Sequence, residues 1–298
     1  MDPMDHRSEI REFLTSRRAR ITPDQAGLPS YGVRRVPGLR RAEAAQLAGV
    51  SVEYYARLER GNLAGVSDAV LDSLARALRL DDAERAHLHD LARTAGTSPR
   101  RRRGPAAPQG VRPNVQRLLD TMTDTPAAVI NGRTDVLATN ALGRALFAPL
   151  HDTTTRPPNH ARLIYLDARS HDFWDNWDHA ADDAVALLHA HAGRNPFDPE
   201  LTALIGELST RSTDFRSRWA RHDVRRHTTG VKHLHHPAIG TLHLTFEAMA
   251  LVADEDLTLL AYGADPGSTS EDGLRLLATW AATHDQQRRR TVRTADET

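Results

Sequence analysis

The sequence contains no cysteine, only one lysine (Lys232), and few aromatic residues, which make up 5% of the chain. The missing cysteines exclude disulfides and thiolate metal sites. No run of about 18 apolar residues occurs, so no segment has the pattern of a transmembrane helix. The first residues, MDPMDHRSEI, also lack the basic-then-apolar order of a signal peptide. We therefore expect a soluble cytoplasmic protein without a membrane segment.

Several motifs typical of enzymes are also missing. The sequence has no HExxH zinc motif, no GxSxG nucleophile elbow, and neither GxGxxG nor GxxxxGK[ST] for nucleotides. Six histidines lie between His222 and His243, and on a strand His233 and His235 would share one face. No carboxylate at ligand spacing accompanies them. We expect no metal, no cofactor and no enzymatic activity.

The length and charge distribution indicate two domains. A chain of 298 residues with 40% hydrophobic residues is long enough for two cores. The net charge is zero, but residues 1–103 hold 19 arginines and 14 acids, a net of +5. The remaining residues hold 20 basic and 25 acidic side chains, a net of −5. The positive part is the one expected to meet nucleic acid phosphates.

The segment GLRRAEAAQLAGVSVEYYARLERGN, residues 38–62, predicts two short helices joined by a tight turn. Residues 40–48 favour a helix, and Gly49 tolerates the positive φ of a helix C-cap. Ser51 then caps a second helix from about Val52 to Arg60. On that helix Tyr55 and Leu58 share one face.

Such a pair of helices fits DNA, with the second helix in the major groove and its first residues against base edges. We expect phosphate contacts from Arg40, Arg41 and Arg60. The expected base-edge contacts are Ser51, Val52, Glu53, Tyr54 and Arg57. One helix reads only a few base pairs, so we expect a homodimer on an inverted repeat of double-stranded DNA, with half-sites about 34 Å apart.

The run LAGVSVEYYARLERG resembles the helix-turn-helix of the Xre (Cro/repressor-like) regulators. Its flanks, RRVPGLRRAEAAQ before it and VSDAVLDSLARALRLDDAERAHLHDLA after it, are similar to the MmyB-like branch of that family. The resemblance implies a five-helix bundle. It also implies an ion pair between a first-helix arginine and Glu59, for which Arg17 is our candidate; exposed arginines remain the alternative.

An arginine- and proline-rich segment, residues 97–112, predicts an exposed linker. It separates a helix-turn-helix domain, residues 8–96, from a second domain, residues 113–283. After a helix, PAAVINGRTDVLATN predicts two strands around Asn131-Gly132, and residues 224–264 predict three more. The order of strand, turn, strand and helix resembles the start of a PAS-like domain. Residues 284–298 are expected to form a disordered tail.

The predicted fold class is therefore mainly α with two domains, an N-terminal five-helix Xre-like bundle and a C-terminal α+β PAS-like domain. The phrase GVKHLHHPAIGTLHLTFEAMAL is similar to the C-terminal domain of MmyB-like regulators. That resemblance implies a small hydrophobic ligand of the fatty-acid type. Expected lining residues are the aromatic side chains Tyr165, Phe173, Trp177, Phe215 and Trp219, with Arg194 or His222 at the polar end. The alternative is a domain that docks a protein partner, and core packing is the alternative role for these aromatics.

Overall fold

The computed structural model describes residues 3–28, 36, 38–95, 110–221, 228–254 and 256–296. Contacts divide the chain into two compact units. The first comprises Met1–Pro105 together with Val185–Arg226, and the second comprises Ala106–Ala184 together with His227–Thr298. Most of the predicted linker, residues 97–109, lies outside the described residues.

Fourteen helices and five strands occur in the described parts of the chain. The helices are α1 (Pro3–Arg20), α2 (Arg41–Ala48), α3 (Val52–Glu59), α4 (Asp68–Ala77), α5 (Asp82–Ala95), α6 (Pro113–Thr121), α7 (Ala141–Leu146), α8 (Ala148–His151), α9 (His160–Leu166), α10 (Arg169–Phe173), α11 (Trp177–Arg194), α12 (Pro199–Arg211), α13 (Thr213–Trp219) and α14 (Thr269–Asp296). The strands are β1 (Ala127–Asn131), β2 (Val136–Thr139), β3 (Thr229–His236), β4 (Gly240–Ala250) and β5 (Leu257–Gly263).

The first unit is built on the five N-terminal helices, which confirms the predicted bundle. Phe13, Tyr55 and Leu58 are fully buried in its core. The unit also contains the second half of α11 together with α12 and α13. Ala190 of α11 packs against the same core. The core of this unit therefore includes a helix that follows the five N-terminal helices.

A glycine allows α11 to approach α5 within the first unit. A Cβ atom at Gly193 would lie 2.6 Å from Cε1 and Nδ1 of His87. The Thr94 hydroxyl donates a hydrogen bond of 3.3 Å to the Gly193 carbonyl. His87 is itself buried and makes an edge contact with the Phe13 ring, 4.9 Å between ring centres. Any side chain at position 193 would therefore displace buried groups.

The second unit contains one antiparallel sheet of five strands in the order β2-β1-β5-β4-β3. Side chains along β3 and β4 alternate between buried and exposed, because one face of the sheet packs on the core and the other meets solvent. Leu234, Leu242 and Leu244 form part of the buried face. Helix α14 packs on α7 and β4. The predicted α+β class of this domain is confirmed.

The C-terminal helix differs from its prediction. We expected residues 284–298 to form a disordered tail, whereas α14 continues to Asp296. Residues 284–296 contain no glycine or proline, so no helix-breaking residue interrupts the backbone pattern there.

Candidate functional sites

The predicted helix-turn-helix forms around two local devices. Gly49 ends α2 in the left-handed conformation, with φ 67°, and its neighbour Val50 donates from its backbone N–H to the Ala45 carbonyl over 3.0 Å. Ser51 caps α3, because its hydroxyl oxygen accepts a hydrogen bond of 3.1 Å from the backbone N–H of Tyr54. Both devices were predicted and both are confirmed.

The two faces of α3 differ in exposure. Tyr55 and Leu58 are fully buried, whereas Val52, Glu53 and Arg57 are exposed. Tyr54, which we expected at a base edge, is half-buried and packs against the hydrophobic cluster. The Arg57 guanidinium carbon lies 4.6 Å from the centre of the Tyr54 ring. This stacking limits the freedom of a side chain that we expect to reach a base.

Glu59 is the buried acid that joins α1 to the helix-turn-helix. Its carboxylate accepts hydrogen bonds from Nε of Arg18, over 2.7 Å, and from Nε of Arg41. Arg18 also donates to the Leu39 carbonyl over 2.7 Å. The prediction of Arg17 as the partner is wrong, because consecutive helical residues differ by about 100° in direction. Arg17 is buried elsewhere, with Nε 2.9 Å from Glu84 Oε1.

The predicted phosphate contacts lie at the start of α2 and the end of α3. Arg40 is exposed, and its backbone N–H donates over 2.6 Å to the carboxylate of Glu43. Arg60 is exposed at the C-cap of α3. The hydrogen bond to Glu59 raises the pKa of Arg41. Because the Arg41 side chain is still 59% exposed, that ion pair orients a cation that solvent or a phosphate can reach.

The predicted ligand-lining residues are divided between the two units. Tyr165, Phe173 and Trp177 belong to the second unit, and Tyr165 donates from its hydroxyl to the Ala181 carbonyl over 2.6 Å. The Trp177 indole N–H lies 3.1 Å from both the Ile164 carbonyl and the Ser170 hydroxyl. These polar tips are already bonded within the fold, as in ordinary core packing.

The other predicted lining residues belong to the first unit or are not described. The Trp219 ring stacks on His189, 3.7 Å between ring centres, and on Phe215, 5.5 Å away. Arg194 ends α11 in the same unit, and His222 lies outside the described residues. The seven residues therefore do not form a single wall within either unit.

A cleft of about 500 Å³ lies within the second unit, beside the edge strand β2. None of the six predicted ligand residues that the structure describes lines it. Its walls come from β2, α6, α7, α8 and α14 and from the loop before α9. The lining residues are Gln116, Val136, Leu137, Ala138, Thr139, Ala141, Arg144, Ala145, Ala148, His151, Asp152, Arg156, Pro158, Trp280 and Ala281.

The only lysine of the chain forms a buried ion pair in the second unit. Lys232 Nζ lies 2.7 Å from Asp183 Oδ2, and both residues are less than 10% exposed. The ammonium also lies 5.1 Å from the centre of the Phe246 ring and 5.9 Å from that of Trp174. The sequence alone did not predict this ion pair, because the two residues are 49 positions apart in the chain and Asp183 lies on α11.

The histidines of the C-terminal strands form no metal site among the residues that the structure describes. His233 and His243 face each other across β3 and β4, with ring centres 4.5 Å apart. Within the described residues, no group of three or more histidine, aspartate or glutamate side chains is placed to hold a metal ion. None of the helices in the described ranges is both long and apolar enough to cross a membrane.

The fold and the exposed recognition helix define the class of this protein as a helix-turn-helix DNA-binding regulator. A family described as a helix-turn-helix domain matches residues 9–88. The MmyB-like transcription regulator ligand binding domain matches residues 111–277. The chain belongs to the MmyB-like transcription regulators, which carry a DNA-binding and a ligand-binding domain. No curated protein is similar enough to this chain to count as a match.

Proposed function

We propose that this DNA-binding transcription regulator senses a small hydrophobic, fatty-acid-like ligand in its C-terminal domain. The cleft beside β2 carries the proposal, since about 500 Å³ is within the usual range for small-molecule sites. The matched family, a ligand-binding domain, supports a small molecule as the occupant. The ligand shifts the DNA-binding state only if it binds two conformations of the protein unequally.

We propose that the exposed N-terminal end of α3 reads the DNA sequence. Ser51, Val52 and Glu53 are exposed there, and Arg57, in the last turn of the same helix, is exposed as well. Arg40, Arg41 and Arg60 then contact phosphates, which positions α3 in the major groove. The half-buried Tyr54 contributes by supporting Arg57.

The proposed assembly is a cytoplasmic homodimer on an inverted-repeat operator. A symmetric operator matches a two-fold symmetric protein, and two recognition helices double the number of base pairs that are read. We also propose that the protein regulates transcription without catalysing a reaction, because both matched families are regulatory.

Native mass spectrometry of the full-length protein, followed by organic extraction, tests the ligand and the assembly together. We expect a dimer mass with an added few hundred daltons of extractable acid. A protein that carries no small molecule and binds none from a fatty-acid panel contradicts the sensor proposal. In that case the exposed apolar side chains of α14, Leu276 at 66% and Trp280 at 48%, favour a docked protein instead.

A further inference from the structure

We propose that Arg144 binds the carboxylate of a single-chain amphiphile in the cleft beside β2. This inference rests on the sensing function proposed above and assigns the acid group of the ligand to one side chain. It replaces the polar ends expected from the sequence: Arg194 is not among the lining residues, and His222 lies outside the described residues.

Arg144 is a half-buried cation, and no counter-ion contacts its side chain among the residues that the structure describes. It lies on α7 and lines the cleft. Its guanidinium makes no hydrogen bond and no ion pair with any residue in the described ranges. A guanidinium has five N–H donors in a planar fork that matches a carboxylate. An anion in the cleft would satisfy donors that the fold leaves open.

The helix that carries Arg144 is fixed at its first turn by Asn140. The Asn140 side-chain oxygen accepts from the backbone N–H groups of Ala127, over 3.1 Å, and Gly143, over 2.7 Å. Its amide nitrogen donates to the carbonyls of Met122, over 2.6 Å, and Thr125, over 2.7 Å. Because this network joins α7 to β1 and to the segment before it, the backbone of Arg144 is held in place before any ligand binds.

The charges around the cleft favour an anion. Arg156 donates to backbone carbonyls, including that of Thr155 over 2.9 Å, and it has no carboxylate partner within the described ranges. Asp152 is the only acid among the described lining residues, and its carboxylate lies 3.7 Å from the Arg169 guanidinium. His151 is the remaining titratable group of the lining. The lining therefore holds two arginines against one aspartate that is already paired.

The apolar part of the lining suits a hydrocarbon chain. Val136, Ala138 and Ala145 contribute small apolar surfaces. Trp280 adds an indole ring that is 48% exposed, an unusual exposure for so large an apolar side chain. An acyl chain placed against these residues would cover the Trp280 ring and remove it from water.

The test compares a fatty acid with an alcohol of the same chain length. Dodecanoic acid and dodecanol are titrated into delipidated full-length protein, and the change in total tryptophan fluorescence reports binding beside Trp280. We expect Arg144→Gln to weaken binding of the acid about 10- to 100-fold, because hydrogen bonds between charged groups are lost. The affinity for the alcohol should not change. Arg275→Gln is the matched control, since Arg275 is exposed on α14 and is not part of the lining. Trp280→Phe should remove the signal.

The outcomes separate this inference from the proposed function. Acid binding that is equally strong in the wild-type protein and in Arg144→Gln overturns the role of Arg144 and leaves the sensor in place. Acid and alcohol binding that both weaken equally in Arg144→Gln also overturn it, because a lost carboxylate contact affects the acid alone. A wild-type protein that binds no fatty acid by fluorescence or by organic extraction overturns the sensor itself.

Discussion

Nε of Arg18 lies 2.7 Å from Oε1 of Glu59, and this pair joins the first helix to the recognition helix. Glu59 is almost fully buried, and Arg41 donates to its other oxygen. We expect Glu59→Gln to lower the free energy of unfolding by about 3 kcal/mol, because it leaves a largely buried arginine without its acid. Glu53→Gln on the exposed face of the same helix should change it by less than about 0.5 kcal/mol. Urea denaturation of both variants measures the difference, and equal stabilities would contradict the pairing.

Two glycines of the first unit should respond in opposite ways to alanine. A Cβ at Gly193 would meet the buried His87 ring at 2.6 Å, whereas a Cβ at Gly206 of α12 has no neighbour within 4 Å. We expect Gly193→Ala to destabilise the protein by about 1–3 kcal/mol through overpacking. Gly206→Ala should stabilise it by about 0.5–1 kcal/mol, because alanine favours a helix. Thermal unfolding of the two variants tests this, and a stable Gly193→Ala would contradict the close packing of α11 on α5.

The buried pair of Lys232 and Asp183 should be sensitive to removal of one partner and tolerant of the removal of both. Lys232→Met removes the ammonium from a carboxylate that is 9% exposed, and we expect a loss in the free energy of unfolding of about 3–5 kcal/mol. The double variant Lys232→Met with Asp183→Leu should recover most of that loss, because no buried charge remains. A double-mutant cycle by chemical denaturation measures the coupling. Additive losses would show that the two side chains do not depend on each other.

His236 should make stability depend on pH. Its Nε2–H donates to the Ala145 carbonyl over 3.0 Å, and its Nδ1 accepts from the Ala238 backbone N–H over 3.2 Å. Protonation of Nδ1 would break the second bond, and burial lowers the pKa of His236. Below the ordinary histidine pKa the unfolded chain therefore binds a proton that the folded chain does not bind.

The sign of this effect follows from proton linkage. The free energy of unfolding should fall as the pH drops below about 6.5, by at most about 1.4 kcal/mol per pH unit for this group. Burial lowers the pKa of His6 as well, which acts in the same direction. Denaturant unfolding at pH 8 and pH 5.5 checks the prediction. His236→Gln should lose less stability between these two values than the wild type does, and an equal loss would contradict it.

Local patterns in the sequence were sufficient for the helix-turn-helix and for the sheet. The turn at Gly49 and the cap at Ser51 depend on neighbouring residues, and the alternation along β3 and β4 follows directly from a half-buried sheet. Predicting that Arg18, and not Arg17, pairs with Glu59 requires the exact rotation of the first helix about its axis. A residue pattern does not determine that rotation to within one position.

The candidate ligand site could not be predicted from local sequence patterns. Arg144 looks like any solvated helix arginine until α7, β2 and α14 are brought together around one cleft. The large aromatics that suggested a lining, such as Tyr165 and Phe215, are buried in the core. Contacts between residues distant in sequence decide which apolar side chains pack together and which remain accessible.

The central claim is that the exposed end of α3 reads DNA, and selection of bound duplexes from a random library by the full-length protein tests it most directly. We predict enrichment of an inverted repeat with half-sites about 34 Å apart, one DNA turn. We also predict that Arg57→Ala loses this preference, whereas Arg76→Ala, at an exposed position on α4, retains it. A wild-type protein that enriches no motif, or an Arg57→Ala variant that enriches the same motif equally well, would contradict the account.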